Sequence, residues 1–179
     1  MTFLLTLHRG IDTLNRTIGR VASWAAMAMV LNQFLVVVLR YVFSVNYKWM
    51  QDGVLYFHSI LFLLGAGYTL MHEGHVRVDI FYHRFPPRRK ALANVLGAVF
   101  LLLPVCVLLW WWSWPYVAQS WAILEHSRDG GLPIVFLLKS LILIFAALLG
   151  LQGLAMLSEN LLIMLGAHPD HEREDGTRI

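Results

Sequence analysis

Residues 21–39 read VASWAAMAMVLNQFLVVVL, an uncharged run closed by Arg20 at one end and Arg40 at the other. A helix needs about 20 apolar residues, at about 1.5 Å each, to cross the hydrocarbon layer of a bilayer. This run is long enough, and three further stretches repeat the pattern. Gly53 to Met71 follows Asp52 and holds His58 as its one readily titratable group; Ala91 to Trp112 follows Lys90 and contains Pro104; Leu141 to Leu157 lies between Lys139 and Glu159. A proline in mid-run breaks a soluble helix but is tolerated in a membrane, where neighbouring helices accommodate the freed backbone groups. Composition agrees, because 58% hydrophobic and 14% charged residues depart from the roughly half-apolar, quarter-charged mean of soluble domains.

These runs predict an all-α membrane protein, a single domain over 1–167 with four transmembrane helices at about 19–43, 52–72, 90–114 and 134–160. Ahead of the first span, Leu4, Leu7, Ile11, Leu14 and Ile18 recur at steps of three and four, opposite Arg9, Asp12 and Arg16. That spacing predicts an amphipathic helix over 1–18 lying in the membrane surface. A cleaved leader is the rival reading, but the first apolar run is of spanning length and ends without a convincing small-residue cleavage site. The tail, 168–179, is polar and reads as disordered.

Orientation follows from the basic residues. With four crossings, Arg9, Arg16, Arg20, Arg77, Arg84, Arg88, Arg89, Lys90, Arg173 and Arg178 share one side, and Arg40, Lys48, Arg128 and Lys139 the other. The positive-inside rule places the richer side, and with it both termini, in the cytoplasm. Trp110, Trp111, Trp112 and Trp114 then fall at the outer end of the third span, at headgroup level. The net charge of +3 does not point to nucleic acid, because the basic residues flank apolar runs instead of forming one face.

Three sharper chemistries fail on spacing. The stretch MHEGHVRVDIFYHRFPPRRK at 71–90 carries His72, Glu73, His75 and His83. Zinc sites on helices place two histidines four apart around a glutamate; here His72 and His75 are three apart and Gly74 interrupts any helix. A solvated loop is the better reading, extended where Val76, Val78 and Ile80 alternate with Arg77 and Asp79, and closed by Pro86 and Pro87. Haem within a bundle needs axial ligands from inside the membrane, and His58 is alone in the predicted spans. A self-sufficient carrier shows internal repeats, broken helices and ionisable groups near the midplane. This chain has no detectable repeat, and its central polar groups are the uncharged Asn32, Gln33 and Gln152, suited to hydrogen bonds between helices. The single cysteine, Cys106, excludes an intrachain disulfide. An accessory membrane subunit remains.

Three stretches then carry a resemblance: LRYVFSVNYKWMQD at 39–52, GHVRVDIFYHRFPPRRK at 74–90 and EHSRDGGLPIVFLLKS at 125–140. With their flanking spans they resemble the small membrane subunit of tripartite ATP-independent periplasmic (TRAP) transporters. The position after Trp49 where that resemblance implies an acid holds Gln51, with Asp52 beside it. The resemblance implies a bacterial inner-membrane scaffold subunit of a sodium-coupled, binding-protein-dependent importer of organic acids, not an enzyme. It implies a large elevator-type membrane subunit and a periplasmic binding protein as partners, sodium ions held on the partner subunit, and no cofactor on this chain.

Within that reading the candidate residues fall into three groups. Arg77 and Asp79 are expected to clamp the 71–90 loop, with Arg88, Arg89 and Lys90 meeting anionic lipid at about 1 kcal/mol each. Lys48, Asp52, Glu125, Arg128 and Asp129 are candidates for docking the periplasmic partner, on a connection where Gly130 and Gly131 permit a sharp turn and Pro133 starts the fourth helix. Arg20, Arg40, Lys139, Glu159 and the tryptophans at 110, 111, 112 and 114 are expected to fix helix depth. The alternative from another class is a four-helix membrane anchor of a redox complex.

Overall fold

A computed structural model describes residues 2–72, 86–127 and 130–164. The first helix, α1 (Thr2–Val42), is one element of 41 residues, about 60 Å long at 1.5 Å per residue. The predicted surface arm and the first span are therefore continuous, with no break near residue 18. Nothing in the 18–21 sequence forces one, since Gly19 is the single poor helix former there and no proline intervenes.

The second span begins as α2 (Lys48–Ser59), widens to a π-helical turn at Ile60–Leu64 and ends as α3 (Gly65–Met71). The third begins as α4 (Pro87–Gly97), passes through a second π-helical stretch at Ala98–Leu102 and continues as α5 (Leu103–Ala122). Pro104 explains the second widening. Its ring cannot donate to the carbonyl of Phe100 and crowds it, and an extra residue in the turn just ahead relieves both defects. The third helix ends at Ala122, eight residues beyond the expected limit at Trp114, so the tryptophan cluster sits within the helix and not at its tip. The fourth span is α6 (Val135–Met164); Pro133 stands two residues ahead of it.

Four helices are thus long and apolar enough to cross a membrane: His8–Val42, Lys48–Met71, Arg88–Ala122 and Val135–Met164. No β-strand occurs among the described residues. The fourth helix is the hub, packing on segments of all three other spans, whereas α1 packs on α2, α3 and α6. Its buried positions run from Ala146 and Leu148 through Gln152, Gly153 and Ala155 to Leu162, around the helix instead of along one stripe. The partners approach through small residues, among them Ala22 on α1, Ala91 on α4 and Ala98, which is completely buried. In a membrane, where lipid is as apolar as leucine, such close backbone contact supplies the dispersion energy that holds helices together. Large apolar side chains face outward instead, including Trp24, Phe34, Phe62, Leu101, Val107 and Trp111.

Candidate functional site: two polar layers and a lateral groove

The connection joining α5 to α6 is built by a helix end. At the close of α5 the Glu125 N–H donates to Ser120 O (3.0 Å) and the Leu124 N–H to Trp121 O (3.1 Å), with Leu124 in the left-handed region at φ 44°. This doubly bonded reversal turns the chain so that the Glu125 carboxylate lies over α6. There Oε2 accepts from Ser120 Oγ (2.7 Å) and from Lys139 Nζ (2.5 Å). The Lys139 ammonium also sits 4.0 Å from the centroid of the Tyr116 ring, a cation–π contact. Trp121 closes this layer, donating Nε1–H to Ser140 Oγ (2.8 Å) and meeting Phe136 edge-on.

The same connection is tied to the second span. Asp52, only 8% exposed, accepts the Leu132 N–H on Oδ2 (3.1 Å), pairs with Lys48 through Oδ1 (3.2 Å) and bonds the Ser127 side chain. Ser127 N–H donates to Leu132 O and Val135 N–H to Glu125 O, which satisfies the first free donor of α6. Gly130 supplies the turn, with φ at 75°. A Cβ on Gly131 would run into the Asp52 carboxylate.

A second polar layer lies at the opposite end of the hub helix. Asn15, fully buried on α1, donates Nδ2–H to Gln152 Oε1 (2.8 Å), and Gln152 donates Nε2–H to Asp12 Oδ1 (2.9 Å). His8 Nε2 stands 3.3 Å from Asp12 Oδ2. Gly67 on α3 makes room for this: a Cβ there would collide with Asn15 Oδ1. Nearby along α6, Asn94 of α4 donates to Asn160 Oδ1 at 3.1 Å. From Leu141 to Leu151 the hub is free of hydrogen-bonding side chains. The two polar layers therefore bracket about 15 Å of apolar helix.

Between α1 and α2 runs an open groove with Gln33, Arg40, Gln51 and His58 on its walls, and Met29 and Val54 between them. Asn32, one position from Gln33, is not on the groove walls and donates to Met50 O (2.8 Å), fixing the register of the two helices.

The expected site residues are thus divided. Asp52, Glu125 and Lys48, read from sequence as docking charges, have partners within the chain, although Lys48 remains 45% exposed at its side chain. Lys139, read as a membrane anchor, points inward to Glu125, with its side chain 15% exposed. Arg20 and Arg40 are exposed at either end of the first span, Glu159 is half-buried, and Trp110, Trp111, Trp112 and Trp114 are 39%, 75%, 74% and 56% exposed. Arg88 and Arg89 are exposed and Lys90 half-buried at the start of α4. Arg77, Asp79, Arg128 and Asp129 lie outside the described residues, as do Glu73, His75, His83 and the tail 168–179. His72 caps α3, its Nδ1 3.0 Å from Tyr68 O. Among the described residues no group of three histidine, cysteine or acidic side chains converges on a metal position. Asn32 and Gln152 make the interhelical bonds expected of them; Gln33 does not. Sequence reasoning missed Asp12 and Asn15, which the helical pattern had assigned to a surface arm.

Four helices long and apolar enough to cross a membrane, tied together by two polar layers, define a four-helix membrane protein. Residues 29–162 match the family of tripartite ATP-independent periplasmic transporters, DctQ component, and the chain belongs to that family. It is also 30% identical, over 95 residues, to the C4-dicarboxylate TRAP transporter small permease protein DctQ of Vibrio cholerae; the match covers 51% of this chain and 41% of that protein. No solved structure matches. The chain is accordingly a multi-pass inner-membrane transport subunit and not an enzyme, and the redox-anchor alternative falls away.

Proposed function

We propose that this chain is the static small subunit of a sodium-driven importer of organic acids, with C4-dicarboxylates the first substrates to test. The observation that carries the reading is where its ionisable groups stand. Asp12, Asp52, Glu125 and Lys139 sit in the two polar layers with partners inside the chain, and the apolar stretch between the layers offers no charged step for an ion or a carboxylate. A moving element needs polar groups that exchange partners across the membrane, whereas a scaffold needs fixed helices and apolar sides. On this reading a large elevator-type subunit carries substrate and sodium, and a periplasmic binding protein delivers the substrate. Arg77 and Asp79 brace the loop after the second span while Arg88, Arg89 and Lys90 meet anionic lipid. The binding protein docks against Lys48 at the start of α2 and against the 125–134 connection, which Asp52 and Glu125 tie down and whose sequence includes Arg128 and Asp129. No cofactor is needed on this chain. The similarity to the Vibrio cholerae small permease supports the substrate class.

The test is uptake of labelled succinate into proteoliposomes under an inward sodium gradient. Liposomes holding this chain alone are expected to take up nothing. Those holding chain, large subunit and binding protein are expected to accumulate label, and omission of the chain is expected to abolish accumulation. Uptake by the isolated chain, or undiminished uptake without it, overturns the proposal.

A further inference from the structure

The polar groove between α1 and α2 has chemistry that the chain itself leaves unused. Arg40 pairs with no carboxylate; its guanidinium carbon lies 5.9 Å from the centroid of its neighbour Tyr41, a weak contact on an exposed residue. Gln33 and His58 are exposed and make no hydrogen bond, and His58 only stacks on Phe62. Among the described residues no acid stands on the groove walls, since Asp52, adjacent to Gln51 in sequence, is turned to Leu132 and Lys48. Gln51 donates Nε2–H to Asn46 Oδ1 (2.7 Å), so among the described residues the groove carries one unpaired positive charge, on Arg40, and two polar side chains without a hydrogen bond, Gln33 and His58.

Depth decides what fits. The bond from Asn32 to Met50 O sets Gln33 and Gln51 at similar height. Arg40 lies seven residues along α1 from Gln33, about 10 Å nearer the connection side, and His58 lies seven residues along α2 from Gln51, about 10 Å deeper. The polar column from Arg40 to His58 thus spans about 20 Å of the lateral surface, two-thirds of a hydrocarbon layer of about 30 Å. A phospholipid satisfies Arg40 with its phosphate but lays acyl chains against the deeper polar groups. Polar side chains facing hydrocarbon without a partner are disfavoured. A helix from another membrane protein can satisfy the whole column.

We infer that the α1–α2 groove, lined by Gln33, Arg40, Gln51 and His58, receives a transmembrane helix of the large subunit that sets a carboxylate against Arg40 and hydrogen-bonding side chains against Gln33 and His58. This rests on the reading that the chain works beside such a subunit. It goes further by fixing which face is covered, while the tryptophan-bearing face of α5 stays toward lipid.

The experiment co-expresses the tagged chain with the large subunit and binding protein. The photoreactive amino acid p-benzoylphenylalanine is placed at position 33, 55 or 58 in the groove, or at 101 or 107 on the exposed face of the third span. Illumination of intact membranes is expected to give adducts of chain plus large subunit from the groove positions and not from 101 or 107. In parallel, Arg40→Glu and the double variant Gln33→Leu with His58→Leu are expected to lower recovery of the large subunit about tenfold or more, the scale of losing one buried charge pair at an interface. Arg40→Lys is expected to retain most of it. The chain's own abundance and thermal midpoint are expected to hold, because these side chains bond nothing within it. Adducts from 101 and 107 but not from the groove, lipid adducts alone at 33 and 58, or unaltered recovery with Arg40→Glu each overturn the groove assignment and leave the subunit reading standing. Failure of the unmodified chain to recover any large subunit removes that reading and the groove assignment with it.

Discussion

Asp52 shows how a charge at the end of an apolar span is used. Its carboxylate bonds three residues: Lys48 one turn away, and Ser127 and Leu132 on a connection roughly eighty positions later. A surface ion pair alone contributes little, about 0–1 kcal/mol, and Lys48 is too exposed to contribute more. The bond that matters is the one from the Leu132 N–H, because a charged acceptor on a backbone donor contributes about 1.5–3 kcal/mol. Asp52→Asn keeps the shape and removes the charge. It is expected to lower the stability of the detergent-purified chain by about 1–3 kcal/mol, read as a fall in thermal midpoint relative to wild type. A purely partner-facing Asp52 predicts no change in the isolated chain and a defect only with the binding protein present. The sequence marks Asp52 and Lys139 as charged residues at span ends and Glu125 as one on a connection, and it does not give their partners, which come from folding and which no local spacing encodes.

At the scale of elements, the informative case is α1. Sequence periodicity selects Leu4, Leu7, Ile11, Leu14 and Ile18 as its apolar stripe, yet the buried face is His8, Ile11, Asn15, Gly19 and Ala22, while Leu14 is 43% exposed. The two stripes share Ile11 and part at Leu14, because hydropathy ranks side chains by their preference for oil and a membrane bundle selects them by size and hydrogen bonding. Reading small and polar residues at three- and four-residue steps as the inner face would have found Asn15. Two terms hold that face, and their sizes differ. A hydrogen bond between membrane helices contributes about 0.6 kcal/mol on average, whereas forcing an extra methyl into a filled contact costs typically 1–3 kcal/mol. Gly67→Ala is therefore expected to destabilise the purified chain more than Gln152→Leu. The reverse order of thermal midpoints would mean that the buried Asn15–Gln152–Asp12 bonds, and not close approach, set the α1–α3–α6 contact. The four spans themselves were legible because length and lack of charge suffice to define them. Their ends were less so: α5 runs past its tryptophans to Ala122 because Tyr116, Ser120 and Trp121 find partners on α6 and its connection. Pro104 announces the second π-helical stretch, and no proline announces the first.

Across the whole molecule, the two polar layers define two sides. One carries the 43–47 and 123–134 connections with Asp52, Glu125 and Lys139, and the other carries Asp12, Asn15, Gln152, Asn94 and Asn160. The basic residues are unequal between them, with Arg9, Arg16, Arg20, Arg88, Arg89 and Lys90 toward the second side and Arg40, Lys48 and Lys139 toward the first. Of the latter, Lys48 and Lys139 pair within the chain with Asp52 and Glu125. The positive-inside rule acts on lysines and arginines next to span ends, and an anionic cytoplasmic leaflet rewards each by about 1 kcal/mol. Both terms favour the second side in the cytoplasm. With Cys106 replaced by alanine, a cysteine introduced at His126 is expected to react with a membrane-impermeant maleimide in spheroplasts, and one introduced at Arg9 only after the membrane is opened. Both positions are exposed and neither side chain belongs to either polar layer, so labelling reads topology alone. Labelling at position 9 but not at 126 in intact spheroplasts would invert the molecule, put the Asp52-pinned connection in the cytoplasm and remove it from reach of a periplasmic partner.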